Sequence, residues 1–346
     1  MRKKIFLIAG GTGGHIFPAI ALTEVNKNFN YFFLLDKRTE KIIKGRNLNY
    51  FKIISSKINI NFFLPINILK ILIGFLQSIL IFKKYKPDLV IGFGGYTSIP
   101  SIFAARALNI KIIIHEQNAI MGRTNRILSG LTKNIAVTYK NTKYADKTSI
   151  YTGIPVRLKK SYKRSRSKKI RLLIVGGSQG AHIFSNLIPK IISQLNKTTK
   201  KKIALVQQVR KEDKVYLYKK YKKMKINFKL NEFFDDIYLE YSQCDLIFSR
   251  CGASTLSEIE LFKKFSVLFP LPSAMNNHQY FNAVEFSKNN NCIIVNEKEI
   301  NLPNLSKKIE KHILLNKNSY KLEENNKTQK ESSFANLVKK ILAENV

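Results

Sequence analysis

The sequence predicts an α/β protein built from two doubly wound, Rossmann-like domains, and three observations carry that prediction. Apolar, β-rich runs end abruptly in glycine at three places: Ile5 to Ala9 before Gly10-Gly11-Thr12-Gly13-Gly14, Leu89 to Ile91 before Gly92-Phe93-Gly94-Gly95, and Leu172 to Val175 before Gly176-Gly177-Ser178-Gln179-Gly180. Each has the form strand, glycine loop, helix. Further short apolar runs alternate with segments of helical length, as in a parallel sheet wrapped on both faces. The 346 residues also exceed what one domain of about 150 residues accounts for.

In chain order, Met1-Arg2-Lys3-Lys4 before Ile5 to Ala9 has the charge of a signal peptide. Its apolar run is too short for that and ends in glycines, so it reads as a first strand. Ile112 to Ile114, Ile203 to Gln207, Leu246 to Phe248, Ser266 to Phe269 and Cys292 to Val295 fit further buried strands. The domain boundary is expected just after Thr152-Gly153-Ile154-Pro155-Val156-Arg157. There, eight of the thirteen residues from Lys159 to Arg171 are Lys or Arg without apolar periodicity, as in a linker.

The segment from Phe62 to Phe82 is long and apolar enough to be read as membrane-spanning. Its polar members, Asn67, Lys70, Gly74, Gln77 and Ser78, fall within an arc of roughly 100° of a helix, and Pro65 suits a first turn. The expectation is a helix with one wet stripe. Its apolar remainder either packs on the sheet or stays exposed in a bilayer interface, where Lys70, Lys83, Lys84 and Lys86 meet anionic headgroups.

Composition is that of an ordinary globular protein, but 60 basic against 23 acidic residues give a net charge of +37. Such an excess favours nucleic acid, anionic lipid or phosphorylated small molecules, although a bias toward Lys, Asn and Ile accounts for much of it. Nucleic acid is the weakest of these, because the basic residues are scattered and no reader module is present. Cys244, Cys251 and Cys292 lack C-x-x-C spacing, which argues against a zinc ribbon or a disulfide framework and suits a reducing cytosol.

A glycine loop between strand and helix gathers backbone N–H groups and the positive helix end at one point, where an anion or polar ligand binds without cationic side chains. A tight packing turn is the other reading. The loops match neither G-x-G-x-x-G nor the P-loop pattern, which argues against a dehydrogenase and a P-loop ATPase. Ser178 adds a hydroxyl to the third loop, a cradle for a diphosphate. Ser249-Arg250-Cys251-Gly252-Ala253-Ser254-Thr255-Leu256-Ser257-Glu258 makes another loop entering a helix, with Glu258 placed to accept from both ribose hydroxyls or simply to complement the helix dipole. Polar side chains between Ala274 and Ala283 suit sugar hydroxyls. His15, at a helix threshold, and Glu116, in His115-Glu116-Gln117-Asn118, are candidate bases. No carboxylate pair or His/Cys cluster has metal-ligand spacing, so the site is expected to work with no metal and no cofactor.

Gly10 to His15, Gly94-Gly95-Tyr96, His115 to Asn118, Pro155-Val156-Arg157, Gly176 to Gly180, Gly252 to Glu258 and Gln279 occur in an order and at spacings that resemble the MurG family of peptidoglycan N-acetylglucosaminyltransferases, from about residue 5 to about residue 290. The resemblance implies a GT-B fold with its two domains facing across a cleft. Residues 1–157 would form an acceptor- and membrane-facing domain, with a C-terminal helix, 331–346, packing back on it; 158–330 would bind UDP-GlcNAc. The reaction implied is inverting transfer of GlcNAc from UDP-GlcNAc to lipid I, forming lipid II, by a peripheral protein on the anionic cytoplasmic face of the inner membrane.

By matching motif, Thr12, Gly13, Gly14, Asn118, Arg157, Ser178, Phe234, Ala253, Ser254, Thr255, Leu256, Ser257, Glu258 and Gln279 would contact the sugar nucleotide. Glu258 would take the ribose, Gln279 the GlcNAc hydroxyls, and Phe234 would meet uracil through its backbone. His15 is the implied base, with Glu116 as a rival. Three positions depart from the family pattern: Ile154 replaces an asparagine, Cys251 a smaller residue, and Ser55-Ser56-Lys57-Ile58-Asn59 a Gly- and Arg-containing loop. Another GT-B enzyme of UDP-sugars, a lipid glycosyltransferase or an epimerase, is the alternative.

Overall fold

The computed structural model describes residues 2–11, 13–56, 64–157, 162, 169–177, 180–315 and 333–344. The chain divides into two compact units, Met1–Leu158 with Gln329–Val346, and Lys159–Thr328.

The first unit runs β1 (Lys4–Ile8), α1 (Gly13–Val25), β2 (Asn30–Leu35), α2 (Lys37–Ile43), β3 (Asn49–Lys52), α3 (Leu64–Tyr85), β4 (Leu89–Gly92), α4 (Ser98–Ala107), β5 (Ile112–Glu116), α5 (Arg123–Leu128), β6 (Ile135–Val137) and β7 (Ile150–Tyr151). Its strands form one parallel sheet, ordered β3-β2-β1-β4-β5-β6-β7. The second unit runs β8 (Ile170–Val175), α6 (His182–Gln194), α7 (Lys197–Lys202), β9 (Ile203–Gln208), α8 (Lys214–Lys223), β10 (Asn227–Asn231), α9 (Ile237–Gln243), β11 (Leu246–Ser249), α10 (Ala253–Phe262), β12 (Phe265–Leu268), α11 (His278–Ser287), β13 (Cys292–Ile294) and α12 (Leu302–Leu315). Its sheet, also parallel, is ordered β10-β9-β8-β11-β12-β13.

Both faces of each sheet are covered, which is why the central strands are continuously apolar. Alternate side chains of β1 serve opposite cores: Ile5 and Leu7 join one cluster, Phe6 and Ile8 the other. Strand β8 divides in the same way, Leu172 and Ile174 against Leu173 and Val175. The last helix, α13 (Ser333–Ala343), buries Phe334, Ala335, Leu337, Val338 and Ile341 in the core of the first unit, beside Ile5 and Leu7.

Strand order reverses between β1 and β4 in the first unit and between β8 and β11 in the second. Crevices at the carboxyl ends of strands flanking such a reversal are where parallel α/β sheets bind ligands. The three glycine loops and the Gly252 loop follow β1, β4, β8 and β11, so all four lie at these switch points.

The linker does not extend to Arg171, because Ile170 and Arg171 already pair with Ile203 and Ala204 in the sheet. More consequential is α3, whose polar stripe faces inward. Gly74 and Ser78 are buried, and Ser78 Oγ donates to Gly74 O (2.8 Å) and lies 3.1 Å from Ser101 Oγ on α4. Gln77 Oε1 accepts from Ile54 N–H at 2.8 Å, and Asn67 Oδ1 from Ser56 Oγ at 2.7 Å. Of the polar arc, only Lys70 is exposed. Small and amide residues are used here to seat the helix against backbone: a Cβ at position 74 would stand 2.0 Å from Ile54 O. The outward face is instead a row of aliphatics, with Leu69 55%, Leu76 53% and Leu80 69% exposed.

Candidate active site

In the first unit the glycine loop after β1 is built around His15 and Asp36. His15 Nδ1 lies 2.8 Å from Gly10 O. A carbonyl only accepts, so Nδ1 carries the hydrogen and the lone pair of the neutral ring is on Nε2, the tautomer a general base requires. The loop after β4 closes over the same ring. A Cβ at Gly95 (φ +78°) would lie 2.4 Å from Gly10 O and 3.2 Å from His15 Nδ1, which is why glycine is needed there. Asp36 was not singled out from the sequence. Its carboxylate caps α2 through the Arg38 and Thr39 N–H groups and also accepts from Gly11 N–H at 3.0 Å. Burial raises the Asp36 pKa, but donors on Tyr96, Thr39 and Gly11 outweigh burial and hold it below the usual carboxylate range. The available signal was an Asp between an apolar run and a helix, the position of an N-cap.

Glu116, at the end of β5, is buried and engaged at both oxygens. Oε1 accepts from Asn118 N–H (2.9 Å) and Asn118 Nδ2 (3.2 Å); Oε2 accepts from Gly122 N–H (3.0 Å) and Asn125 Nδ2 (2.7 Å). Asn125 also lies beside Gly94, as does the His15 ring, so Glu116, Asn118 and His15 belong to one constellation. His115 is structural: Nε2 donates to Gly153 O at 2.9 Å, Nδ1 accepts from Gln117, and its ring stacks edge-on with Phe334 of α13. Complete burial pushes it down to about 4, so it stays neutral. Arg157 is half-buried, with its guanidinium over the Phe17 ring of α1. Gly13 and Gly14 open α1; Thr12 lies outside the described residues.

In the second unit, Gly176 N–H after β8 donates to Gln208 Oε1 at 3.1 Å, and Gly177 and Gly180 adopt positive φ. Ser178 lies outside the described residues. After β11, α10 begins at Ala253 behind Gly252 with no side-chain cap, so its first-turn N–H groups are not taken by a capping side chain. Ala253 and Leu256 are buried, which limits any ligand contact to their backbone, whereas Ser254, Thr255, Ser257 and Glu258 are half-buried. Glu258 hydrogen-bonds the hydroxyl of Tyr241, which burial and then the Glu258 charge push far up, keeping it a donor. Sequence reasoning missed Tyr241, whose only local signal was an aromatic on an amphipathic turn.

Gln279, on α11, ties two loops together. Its Oε1 accepts from Cys251 N–H (3.1 Å) and Leu271 N–H (3.0 Å), which orients its amide N–H₂ as a donor. Asn282 Nδ2 donates to Cys251 O, so buried Cys251 acts through its backbone. Phe234 places its ring in the core with Val175 and Tyr238, leaving only its main chain for a ligand. Among the described residues, no cluster of three or more His, Cys, Asp or Glu has the arrangement of a metal site.

Within the second unit, backbone donors at the helix starts after β8 and β11, a carboxylate and an amide donor are chemistry suited to a glycosyl diphosphate; within the first, a base-competent imidazole is chemistry suited to a hydroxyl acceptor. Residues 5–137 match the glycosyltransferase family 28 N-terminal domain and residues 171–341 its C-terminal domain. The UDP-N-acetylglucosamine--N-acetylmuramyl-(pentapeptide) pyrophosphoryl-undecaprenol N-acetylglucosamine transferase of Rickettsia canadensis (strain McKiel) is 41% identical over 295 residues, 81% of this chain and 82% of that protein. The transferase of the same name from Wolbachia sp. subsp. Drosophila simulans (strain wRi) is 38% identical over 332 residues, 94% of each. The crystal structure of Acinetobacter baumannii MurG aligns over 98% of this chain and 99% of that one, with a TM-score of 0.76 at 26% identity. The chain therefore has the GT-B fold and belongs to glycosyltransferase family 28 and, within it, to the MurG family.

Proposed function

We propose that this chain moves GlcNAc from UDP-GlcNAc to the C4 hydroxyl of MurNAc in undecaprenyl-pyrophosphoryl-MurNAc-pentapeptide, lipid I, giving lipid II and UDP with inversion at the anomeric carbon, a step of peptidoglycan synthesis. The observation that carries this reading is the 41% identity, across four-fifths of both chains, with a transferase named for that donor and acceptor. In the displacement the acceptor oxygen bonds to the anomeric carbon as the bond from that carbon to the β-phosphate oxygen breaks. The electron pair leaves with UDP, and the acceptor proton passes to His15 Nε2.

Residues 158–330 form the donor side. The loop amides after β8 with Ser178, together with Arg157, offset charge growing on the diphosphate. Glu258, held by Tyr241, takes the ribose, and Gln279 donates to the GlcNAc hydroxyls. Main-chain groups of Phe234, Ala253 and Leu256 complete the nucleotide site with Ser254, Thr255 and Ser257, while Thr12, Gly13, Gly14 and Asn118 contact the donor from the first unit. Glu116 serves as the frame for Asn118, since four donors already occupy its oxygens. Residues 1–157 form the acceptor side, and the outward aliphatic row of α3, with Lys70, Lys83, Lys84 and Lys86, rests on the anionic cytoplasmic face of the membrane as a peripheral contact.

Purified protein with UDP-GlcNAc and a lipid I analogue should release UDP without added divalent cation; folded protein that releases none would refute the reading. His15→Ala should keep UDP-GlcNAc binding and lose about 10²- to 10⁴-fold in turnover. Unchanged turnover would remove His15 as the base.

A further inference from the structure

Arg210 lies just past β9. Its side chain lies against Gly180, in the stretch between β8 and α6: a Cβ placed on Gly180 (φ +68°) would meet Arg210 Cγ at 3.2 Å. The same two loops are tied by Gln208, which accepts from Gly176 N–H. The guanidinium is poorly satisfied. Its Nη2 makes one long hydrogen bond to Gly180 O, 3.4 Å, and its Nη1 stands 3.9 Å from a largely exposed Glu212 carboxylate. Nε is shut off from solvent and has no hydrogen-bond partner among the described residues.

The other carboxylate nearby, Asp213, is committed elsewhere, accepting from Ser185 Oγ and His182 Nδ1, both at 2.8 Å. A buried N–H without an acceptor is costly, and a guanidinium presents a planar fork that matches phosphate oxygens. Holding a loop carbonyl at 3.4 Å requires no such group.

We propose that Arg210 is a further donor-binding residue, whose guanidinium hydrogen-bonds the diphosphate of the sugar nucleotide from the β9 side of the glycine loop. This rests on the donor reading above. It assigns Arg210 a share of the charge that leaves with UDP, beside the loop amides and Arg157.

Calorimetric titration of the full chain with UDP and with uridine tests it. Wild-type protein should bind UDP far more tightly than uridine. Arg210→Gln, which keeps most of the stem, should weaken UDP and UDP-GlcNAc about ten-fold or more while leaving uridine affinity and melting temperature in place, and Arg210→Lys should recover part of the loss. UDP affinity equal to wild type in Arg210→Gln, or UDP and uridine affinities falling together, would overturn the assignment. Wild-type protein that binds no UDP would overturn the donor reading itself, and this assignment with it.

Discussion

Leu69→Glu with Leu76→Glu probes the outward face of α3 most sharply. Both side chains are a little over half exposed, 55% and 53%, so they contribute little to the core of the first unit. Covering a whole leucine is worth about 1.5–3 kcal/mol, so covering the exposed half of each in a bilayer interface is worth about 1 kcal/mol. The pair then accounts for about 2 kcal/mol, or about 30-fold in partitioning, before the added carboxylates meet anionic headgroups. Cosedimentation with phosphatidylglycerol vesicles, alongside phosphatidylcholine vesicles and a thermal melt, measures both sides. The double variant should lose vesicle binding by at least that factor while its melting temperature moves only a few degrees. Vesicle binding equal to wild type, or a collapse of the melting temperature, would refute the reasoning, the latter by putting these leucines in the core.

Three further outcomes follow from the geometry. His115 is held near 4, while an unfolded histidine titrates near about 6.5. Its contribution is therefore complete above about pH 6.5 and is lost between there and 4, by up to about 3 kcal/mol, as the unfolded chain takes the proton first. Urea midpoints across that range should flatten in His115→Asn, and an unaltered slope contradicts the assignment. Gly74→Ala should destabilise the protein by about 2 kcal/mol, because the new Cβ would sit 2.0 Å from Ile54 O, whereas Gly130→Ala, with nothing within 4 Å, should be nearly neutral. Equal midpoints for the two would show that α3 is not seated as described. Tyr241→Phe removes a donor from Glu258 and should raise the KM for UDP-GlcNAc about ten-fold with a smaller change in kcat; an unchanged KM would detach Glu258 from ribose binding.

Strands β1, β4, β5, β8, β9, β11 and β12 were legible because burial on both faces leaves a continuous apolar signature, as in Ile5 to Ala9 and Leu172 to Val175, whereas the interior strands β2 and β6 were not picked out. Of the edge strands only β13, within Cys292 to Val295, was legible. Strand β10, Asn-Phe-Lys-Leu-Asn, alternates and lies at a sheet margin, and β7 has two exposed residues. Glycine loops marked the switch points, since Gly10, Gly95 and Gly176 each stand where a Cβ would strike a neighbouring residue. Long-range partners left no such mark. That Glu116 is saturated by Asn118, Gly122 and Asn125, or that Asp36 pins Gly11, depends on which loops the sheet order makes adjacent. Helix α3 misled for a physical reason: amphipathic periodicity locates two faces but not which one is wet, and here Gly74, Gln77 and Ser78 satisfy backbone and hydroxyl partners while leucines face outward.

Transfer itself is the decisive measurement. Purified chain given labelled UDP-GlcNAc and a lipid I analogue, with the lipid product isolated and its new linkage assigned by mass spectrometry and NMR, should yield one GlcNAc on the MurNAc C4 oxygen in the anomeric configuration opposite to the donor's. A product with retained configuration, a linkage to another hydroxyl, or epimerised sugar nucleotide with no lipid-linked product would contradict the account.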